Sequence, residues 1–295
     1  DASLIISDGD TKYEVIKEKY FEYDQEIDRE IHKVKEKIQN PKDLEKFITE
    51  IKEIERKITL FHAKVIKEVE AKKIDLIGFH GQTIFHSPKD KISKQLGDGM
   101  LLSQLTKQKI VCNFRSNDIK NGGEGAPLTP IFHLLIAKQY ELDLPVCILN
   151  IGGISNVTFI TEPINKLSLI SKDTGPGNCL IDKWLRKNSK KKFDEDGQLA
   201  ARGNINEIIL EQAQELFSHR KNRKNLSFDT EDFDISFARG LSLEDGAATL
   251  TKFTSKIISS SLLQICSTKT SSPIKVIVCG GGRKNLTMID QIKKD

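Results

Sequence analysis

The sequence predicts an α/β fold in two domains, and three observations carry that expectation. Apolar runs of strand length alternate with longer segments of helical periodicity. Each half has glycine-rich turns directly after such runs, around Gly81 and Gly122–Gly125 in the first and at Gly152-Gly153 and Gly280–Gly282 in the second. At 295 residues the chain is long enough for two cores of ordinary size. The expected division is 1–145 and 146–295, two α/β domains flanking a cleft.

Ala2–Ser7 and Lys12–Ile16 read as an antiparallel pair joined by the turn Asp8-Gly9-Asp10. A charged helical region is expected from 23 to 72, broken near Asn40-Pro41-Lys42. Ile27, Ile31, Val34 and Ile38 repeat at helical spacing before the break. Phe47, Ile51, Ile54, Ile58, Phe61, Val65 and Val69 do so after it. Two amphipathic helices with a solvated Lys/Glu face account for this pattern. Asp75–Phe79 reads as a strand running into His80-Gly81-Gln82-Thr83. Gln82 and Thr83 there can exchange hydrogen bonds with sugar hydroxyls, while His80 is equally well a satisfied loop histidine. A helix over Leu101–Thr106 follows, then a strand over Ile110–Phe114. That strand delivers Arg115 and Asp118 ahead of Asn121-Gly122-Gly123-Glu124-Gly125-Ala126-Pro127. Arg115 can grip a carboxylate or phosphate through two parallel bonds, or pair with Asp118 on the surface. Pro130–Tyr140 is an apolar helix.

The stretch from Val146 to Asn178 holds the chemistry. Val146–Leu149 is a buried strand ending in Asn150-Ile151-Gly152-Gly153, where paired glycines let the backbone approach a ligand. Val157–Ile160 is its return strand. Asp173-Thr174-Gly175-Pro176-Gly177-Asn178 is expected as a loop opening the helix Cys179–Lys187. Backbone donors at that helix start favour an anion, and the Asp173 carboxylate can take a proton from water. These are the parts of a phosphoryl-transfer site.

Phe193–Gly197 has the look of a calcium loop, but Ile205 stands where the twelfth-position glutamate is required, so it reads as a cap and turn. Ile205–Leu216 is a helix, His219–Phe228 a basic loop, and Leu243–Leu263 a helix capped by Ser242 with Asp245 completing a near capping box. Ile274–Cys279 is a buried strand running into Gly280-Gly281-Gly282, which suits close approach of a nucleotide or tight packing.

Composition excludes several classes. Net charge is +4 with lysines spread along the chain, and no compact basic patch carries interleaved aromatics, so nucleic acid is not an expected partner. Apolar residues make up 38% and charged residues 30%, with no apolar run of membrane-span length and no signal-peptide pattern. Cys112, Cys147, Cys179, Cys266 and Cys279 show no paired spacing and read as thiols in a reducing cytoplasm rather than as disulfides or zinc ligands. Neither a GxxxxGK[ST] loop nor a strand followed by GxGxxG is present, and no GxSxG elbow occurs.

Several motifs occur together in a fixed order: HGQT at 80–83, FR with Asp118 and GGEGAP over 114–127, LNIGGISN at 149–156, DTGPGN at 173–178, FDEDGQLAARG at 193–203, GLSLEDGAAT at 240–249 and VCGGGRKN at 278–285. In this combination the chain resembles the anhydro-N-acetylmuramic acid kinases, of the actin/hexokinase/Hsp70-like phosphotransferase superfamily. The resemblance implies two ribonuclease H-like domains around a nucleotide cleft. It implies a sugar-binding side in 1–145 and a nucleotide-binding side in 146–295. It implies that ATP and water act on 1,6-anhydro-N-acetylmuramic acid, giving N-acetylmuramic acid 6-phosphate and ADP in cell-wall recycling. Asp173 would be the general base. His80, Gln82, Thr83, Arg115 and Asp118 would hold the sugar and its lactyl carboxylate. Gly152, Gly153, Asn156, Gly175, Gly177, Asn178, Gly280, Gly281 and Gly282 would line the nucleotide site. Mg²⁺ would bridge the phosphates with no protein ligand assigned to it, and a cytoplasmic homodimer is expected on the same ground.

Three departures from the family pattern set up competing readings. Asp1–Ile5 reads as a strand entered midway, with a Gly-Thr-Ser-x-Asp-Gly phosphate loop expected upstream. Residues 217–234 lack a proline-rich PPKS-like run before Phe233-Asp234, and Ile289–Asp295 stops partway into a helix. A catalytically impaired family remnant, truncated at both ends, is therefore one alternative. Another ATPase of the same superfamily is a second, although HGQT with Arg115 argues against a chaperone-like member.

Overall fold

The computed structural model describes residues 1–69, 74–161, 169–221, 227–269 and 274–295. The chain is mixed α/β and divides into two compact units, Asp1–Leu128 and Thr129–Asp295.

In the first unit, β1 (Ala2–Ser7) and β2 (Tyr13–Lys19) form the expected antiparallel pair. Asp8 closes its turn, its Oδ1 accepting the amides of Asp10, Thr11 and Lys12. The helical region resolves into α1 (Gln25–Lys37), α2 (Pro41–Lys46) and α3 (Ile48–Val69), while 70–72 lie outside the described residues. Asp24 caps α1 by accepting the Glu26 and Ile27 amides. The break at 40–41 is a capping box: Asn40 accepts from Lys42, Asp43 accepts from Asn40, and Pro41 occupies the first turn.

The apolar stripes meet. Ile27, Ile31 and Val34 of α1, and Ile38 just past its end, pack with Ile51, Ile54 and Ile58 of α3, and Ile84 and Leu96 join them. The last two belong to a hairpin that periodicity did not signal, β4 (Gln82–Ser87) and β5 (Ile92–Leu96), preceded by the short strand β3 (Ile77–Gly78). After α4 (Gly99–Thr106) comes β6 (Ile110–Val111), parallel to β3. The strand expected over 110–114 stops early because Asn113 takes a left-handed backbone, φ 57°, and starts α5 (Phe114–Lys120). Arg115 and Asp118 therefore stand on a helix rather than a loop. Strands of this unit pair two by two.

The second unit is built on one four-stranded sheet. Following α6 (Pro130–Gln139) come β7 (Val146–Ile151), β8 (Ile154–Ile160) and β9 (Leu169–Pro176), each antiparallel to the next. The next elements are α7 (Cys179–Asn188), α8 (Gln198–Arg202), α9 (Glu207–Lys221) and α10 (Leu243–Lys269). Then β10 (Lys275–Cys279) returns parallel to β7, for an order β10-β7-β8-β9, and α11 (Leu286–Lys294) follows. Helices cover both faces, which is why Val146–Leu149 of β7 reads as an unbroken apolar run. Cys147, Leu149 and Ile151 face α7 and α10, among them Leu180, Trp184, Ile257 and Ile258. Val146 and Ile148 face Leu134 and Ala137 of α6.

Several boundaries differ from expectation, among them α10, which runs on to Lys269, and β8, which starts at Ile154. Asp173 to Pro176 finish β9 instead of forming a loop, held by the ladder to β8. Helix α9 runs to Lys221 into the basic stretch expected as a loop, since His219-Arg220-Lys221 contains no helix breaker. Residues 222–226 lie outside those described. In the FDEDG segment, Asp194 accepts the Leu199 and Ala200 amides and so caps α8, as a cap and turn should.

Candidate active site

In the second unit three glycine segments are laced together. The β7–β8 turn closes through Gly152 N–H to the Ile154 carbonyl at 3.1 Å. Its carbonyls then receive the start of α7. Gly177 and Cys179 donate to Gly153 O at 2.9 and 3.1 Å, and Asn178 donates to Gly152 O at 2.8 Å. A Cβ on Gly177 would overlap the Gly152 carbonyl oxygen, so only glycine allows this approach. Gly280 joins from β10 with φ 81°, and a Cβ there would lie 2.5 Å from Ile151 O. Gly175 and Gly282 are buried, under Ile257 and against Ile151, and shape the turn from within, whereas Gly153 and Gly281 are exposed. The lacing alters one expectation: amides 177–179 at the helix start are spent on hairpin carbonyls rather than offered to an anion.

Beside this turn, Asp173 pairs in register with Asn156 across β8–β9, so the two side chains share a face of the sheet. Asp173 Oδ2 accepts the Phe228 amide at 2.8 Å and the Ser227 hydroxyl at 3.3 Å. Asn156 Oδ1 is buried with no hydrogen-bond partner. An orphan acceptor costs roughly 1–3 kcal/mol unless a ligand or water supplies a donor, so its place beside a half-buried carboxylate suits one. Ser155 and Thr174, both buried, brace the strand end from behind. The Ser155 hydroxyl donates to Pro176 O at 2.9 Å, and Thr174 donates to Ser155 O at 3.1 Å.

In the first unit, Arg115 is held in a fixed pose. Its Nε donates to His80 Nε2 at 3.0 Å and its Nη1 to the Gly125 carbonyl at 2.7 Å. Because His80 Nε2 accepts, Nδ1 carries the proton and donates to Gly81 O at 2.8 Å. Burial, reinforced by the nearby guanidinium, holds His80 below the usual imidazole range, although the bond to Gly81 pulls the other way. Asp118 Oδ2 accepts the Gly125 amide at 2.7 Å, so it ties the glycine loop to α5. Gln82 and Thr83 open β4, with Thr83 Oγ1 accepting from Gln95 at 3.3 Å. All five sugar-side candidates thus sit in this unit.

A family model described as anhydro-N-acetylmuramic acid kinase matches residues 1–295. The chain belongs to the anhydro-N-acetylmuramic acid kinase family. It is 50% identical over 297 residues to the anhydro-N-acetylmuramic acid kinase of Pelagibacter ubique, covering 100% of this chain and 79% of that one. Identity is 40% over 250 residues to the Zymomonas mobilis kinase, covering 82% and 66%. It is 37% over 249 residues to a Rhodopseudomonas palustris kinase, covering 82% and 65%. The chain therefore spans just under two thirds of the length of the latter two relatives. Similarity at that level along the whole chain does not favour a decayed remnant. The family's description and the names of these relatives are those of an anhydro-sugar kinase.

For this kinase, sequence reasoning missed Ser227 and Phe228, which hold the proposed base, and Asn150, whose Oδ1 would crowd a side chain at Gly280. Asn150 was legible as the polar break ending an apolar strand. Ser227 had no local signal, because its partner lies 54 positions away.

Proposed function

We propose that the chain catalyses ATP-dependent hydrolytic opening of 1,6-anhydro-N-acetylmuramic acid, with O6 phosphorylated to give N-acetylmuramic acid 6-phosphate and ADP. The arrangement that carries this reading is Asp173, oriented by Phe228 and Ser227, beside the unpartnered Asn156 Oδ1. Asp173 takes a proton from a water as the water oxygen bonds to the anomeric carbon. The C1–O6 bond breaks, O6 bonds to the γ-phosphorus, and ADP leaves. A glycosidase needs a second, protonated carboxyl to assist its leaving group; here the phosphoryl group takes that part, so one carboxylate suffices.

Arg115, set by His80 and Gly125, is the ligand for the lactyl carboxylate. Gln82, Thr83 and Asp118 complete the sugar side, with 1–145 as the sugar-binding domain and 146–295 as the nucleotide-binding one, both of ribonuclease H-like descent. Three antiparallel strands joined by a parallel fourth support that ancestry for the second. Gly152, Gly153, Gly177, Asn178 and Gly280–Gly282, with Gly175 behind them, form the nucleotide side. Among the described residues no group of three or more His, Cys, Asp or Glu could hold a metal. Mg²⁺ would ride on the nucleotide phosphates and neutralise charge there, a mode that needs only one or two protein carboxylates. Among the described residues no helix is long and apolar enough to cross a membrane. A cytoplasmic homodimer without nucleic-acid partners completes the proposal.

ADP release from the purified chain, with ATP, Mg²⁺ and the anhydro-sugar, tests the reading. Sugar-dependent release with one N-acetylmuramic acid 6-phosphate per ADP supports it; no sugar dependence overturns it.

A further inference from the structure

Helix α3 makes contacts that packing alone does not need. Glu55, Thr59 and His62 fall at i, i+4 and i+7, one row along the helix, next to the Ile51–Ile54–Ile58 stripe that fills the core. Each member of the row grips a turn that leads to a sugar-side residue. Glu55 Oε1 accepts from Lys94 Nζ at 2.8 Å and from the Gly97 amide at 3.3 Å, with the carboxylate side chain 17% exposed. Thr59, fully buried, accepts the Asp98 amide at 2.9 Å while donating its own proton to Glu55 O at 2.7 Å. His62, bonded to Tyr23 Oη at 2.9 Å, lays its ring 5.1 Å from that of Phe79.

These anchors converge on two short stretches. Phe79 precedes His80 and Gly81, and its ring packs against Gly97, where a Cβ would lie 2.5 Å from it. Gly81 in turn sits so tightly on the Leu96 carbonyl that a Cβ would overlap it. Strand β5 pairs Leu96 with Gln82 and Gln95 with Thr83. The 79–83 turn and the 94–98 turn are therefore one packed unit, and α3 holds the second half of it by side-chain bonds to backbone amides.

We infer that Glu55 and Thr59 are positioning residues for the sugar: α3 is a rack that fixes the height of the Gly97-Asp98 turn and, through it, of Gln82 and Thr83. The inference rests on the proposed function and extends it to the long helical region, which otherwise has only a packing role. A carboxylate that binds a lysine and a backbone amide holds a turn more firmly than an apolar contact does, because charge-assisted bonds are directional. Thr59 is the sharper of the two. Both of its bonds are to backbone, so replacing the hydroxyl by a methyl strands the Asp98 amide without changing side-chain volume much.

The test is steady-state kinetics and sugar binding on the full chain for Thr59→Val, Thr59→Ser and Glu55→Gln. Thr59→Val is expected to raise the sugar KM about tenfold while the ATP KM stays within about twofold, the scale of one lost hydrogen bond. Thr59→Ser is expected to restore the sugar KM, and Glu55→Gln to raise it about threefold in the same selective way. A Thr59→Val enzyme with unchanged sugar KM, equal changes in both KM values, or no rescue by serine would overturn the inference. Should Thr59→Val fail to fold, Glu55→Gln decides by the same split between the two substrates. Wild-type chain that binds no anhydro-sugar in calorimetry removes the functional reading and this inference together. Wild type that binds, with variants that bind equally well, removes the inference alone.

Discussion

The Phe228 amide donates to Asp173 Oδ2 across 2.8 Å, joining the end of strand β9 to a segment 55 positions further along. The Ser227 hydroxyl adds a longer bond of 3.3 Å to the same oxygen. Two donors on one oxygen fix the plane of the carboxyl group, and a base that must meet a water at a defined angle gains from that. Ser227→Ala is expected to lower kcat about threefold with little change in either KM, since it removes a weak bond and leaves the Phe228 amide in place. Initial-rate measurements check it; a loss of 100-fold would mean that Ser227 acts on substrate directly.

Arg115 has its pose set by His80 and the Gly125 carbonyl. Arg115→Ala is expected to raise the sugar KM by roughly 10- to 100-fold, the scale of a charge-assisted pair, and the ATP KM far less. His80→Ala should move the sugar KM the same way by a smaller factor, because it frees Arg115 instead of deleting it. Equal effects on both substrates would take Arg115 out of the sugar site.

Gly280 combines a φ of 81° with the Ile151 carbonyl at contact distance. Gly280→Ala should destabilise the second unit by about 1–2 kcal/mol from backbone conformation alone and raise the ATP KM at least tenfold, with the sugar KM near its original value. Thermal denaturation and KM values for both substrates test this together. A variant with both parameters unchanged would show the glycine turn to be slack.

Burial holds the His62 imidazole down to about 4, against an ordinary value of 6.5. Between pH 6.5 and 4 the unfolded chain takes up a proton that the folded chain refuses. Stability from neutral His62 is thus fully present above pH 6.5 and drains away as pH falls through that window. His62→Gln, which keeps a polar group for Tyr23, is expected to lose less of its melting temperature than wild type between pH 7 and pH 5. Parallel losses in the two proteins would show that His62 is accessible to protons when folded.

How much of this was open to sequence reading depends on the range of each interaction. The β7 run Val146–Leu149 and the α1 and α3 stripes were legible because periodicity reports burial locally. The break at Asn40-Pro41 and the cap at Asp194 were legible for the same reason, each being complete within a few residues. The strand expected up to Phe114 ends short of Arg115 because Asn113, without any glycine, takes the left-handed backbone that starts α5. The β4–β5 hairpin escaped because Lys94 and Gln95 blur its alternation, and its burial is decided by α1 and α3. The hold of Phe228 on Asp173, and of Thr59 on Asp98, could not be seen at all, since partners 55 and 39 positions apart leave no spacing to read.

The most direct measurement is turnover by Asp173→Asn, with sugar affinity determined on the same preparation. Loss of the base predicts ADP release reduced by roughly 10²–10⁴-fold or more, with the sugar dissociation constant within a few-fold of wild type. Near-normal ADP release from that variant would contradict the account, because no proton acceptor would then be needed at Asp173.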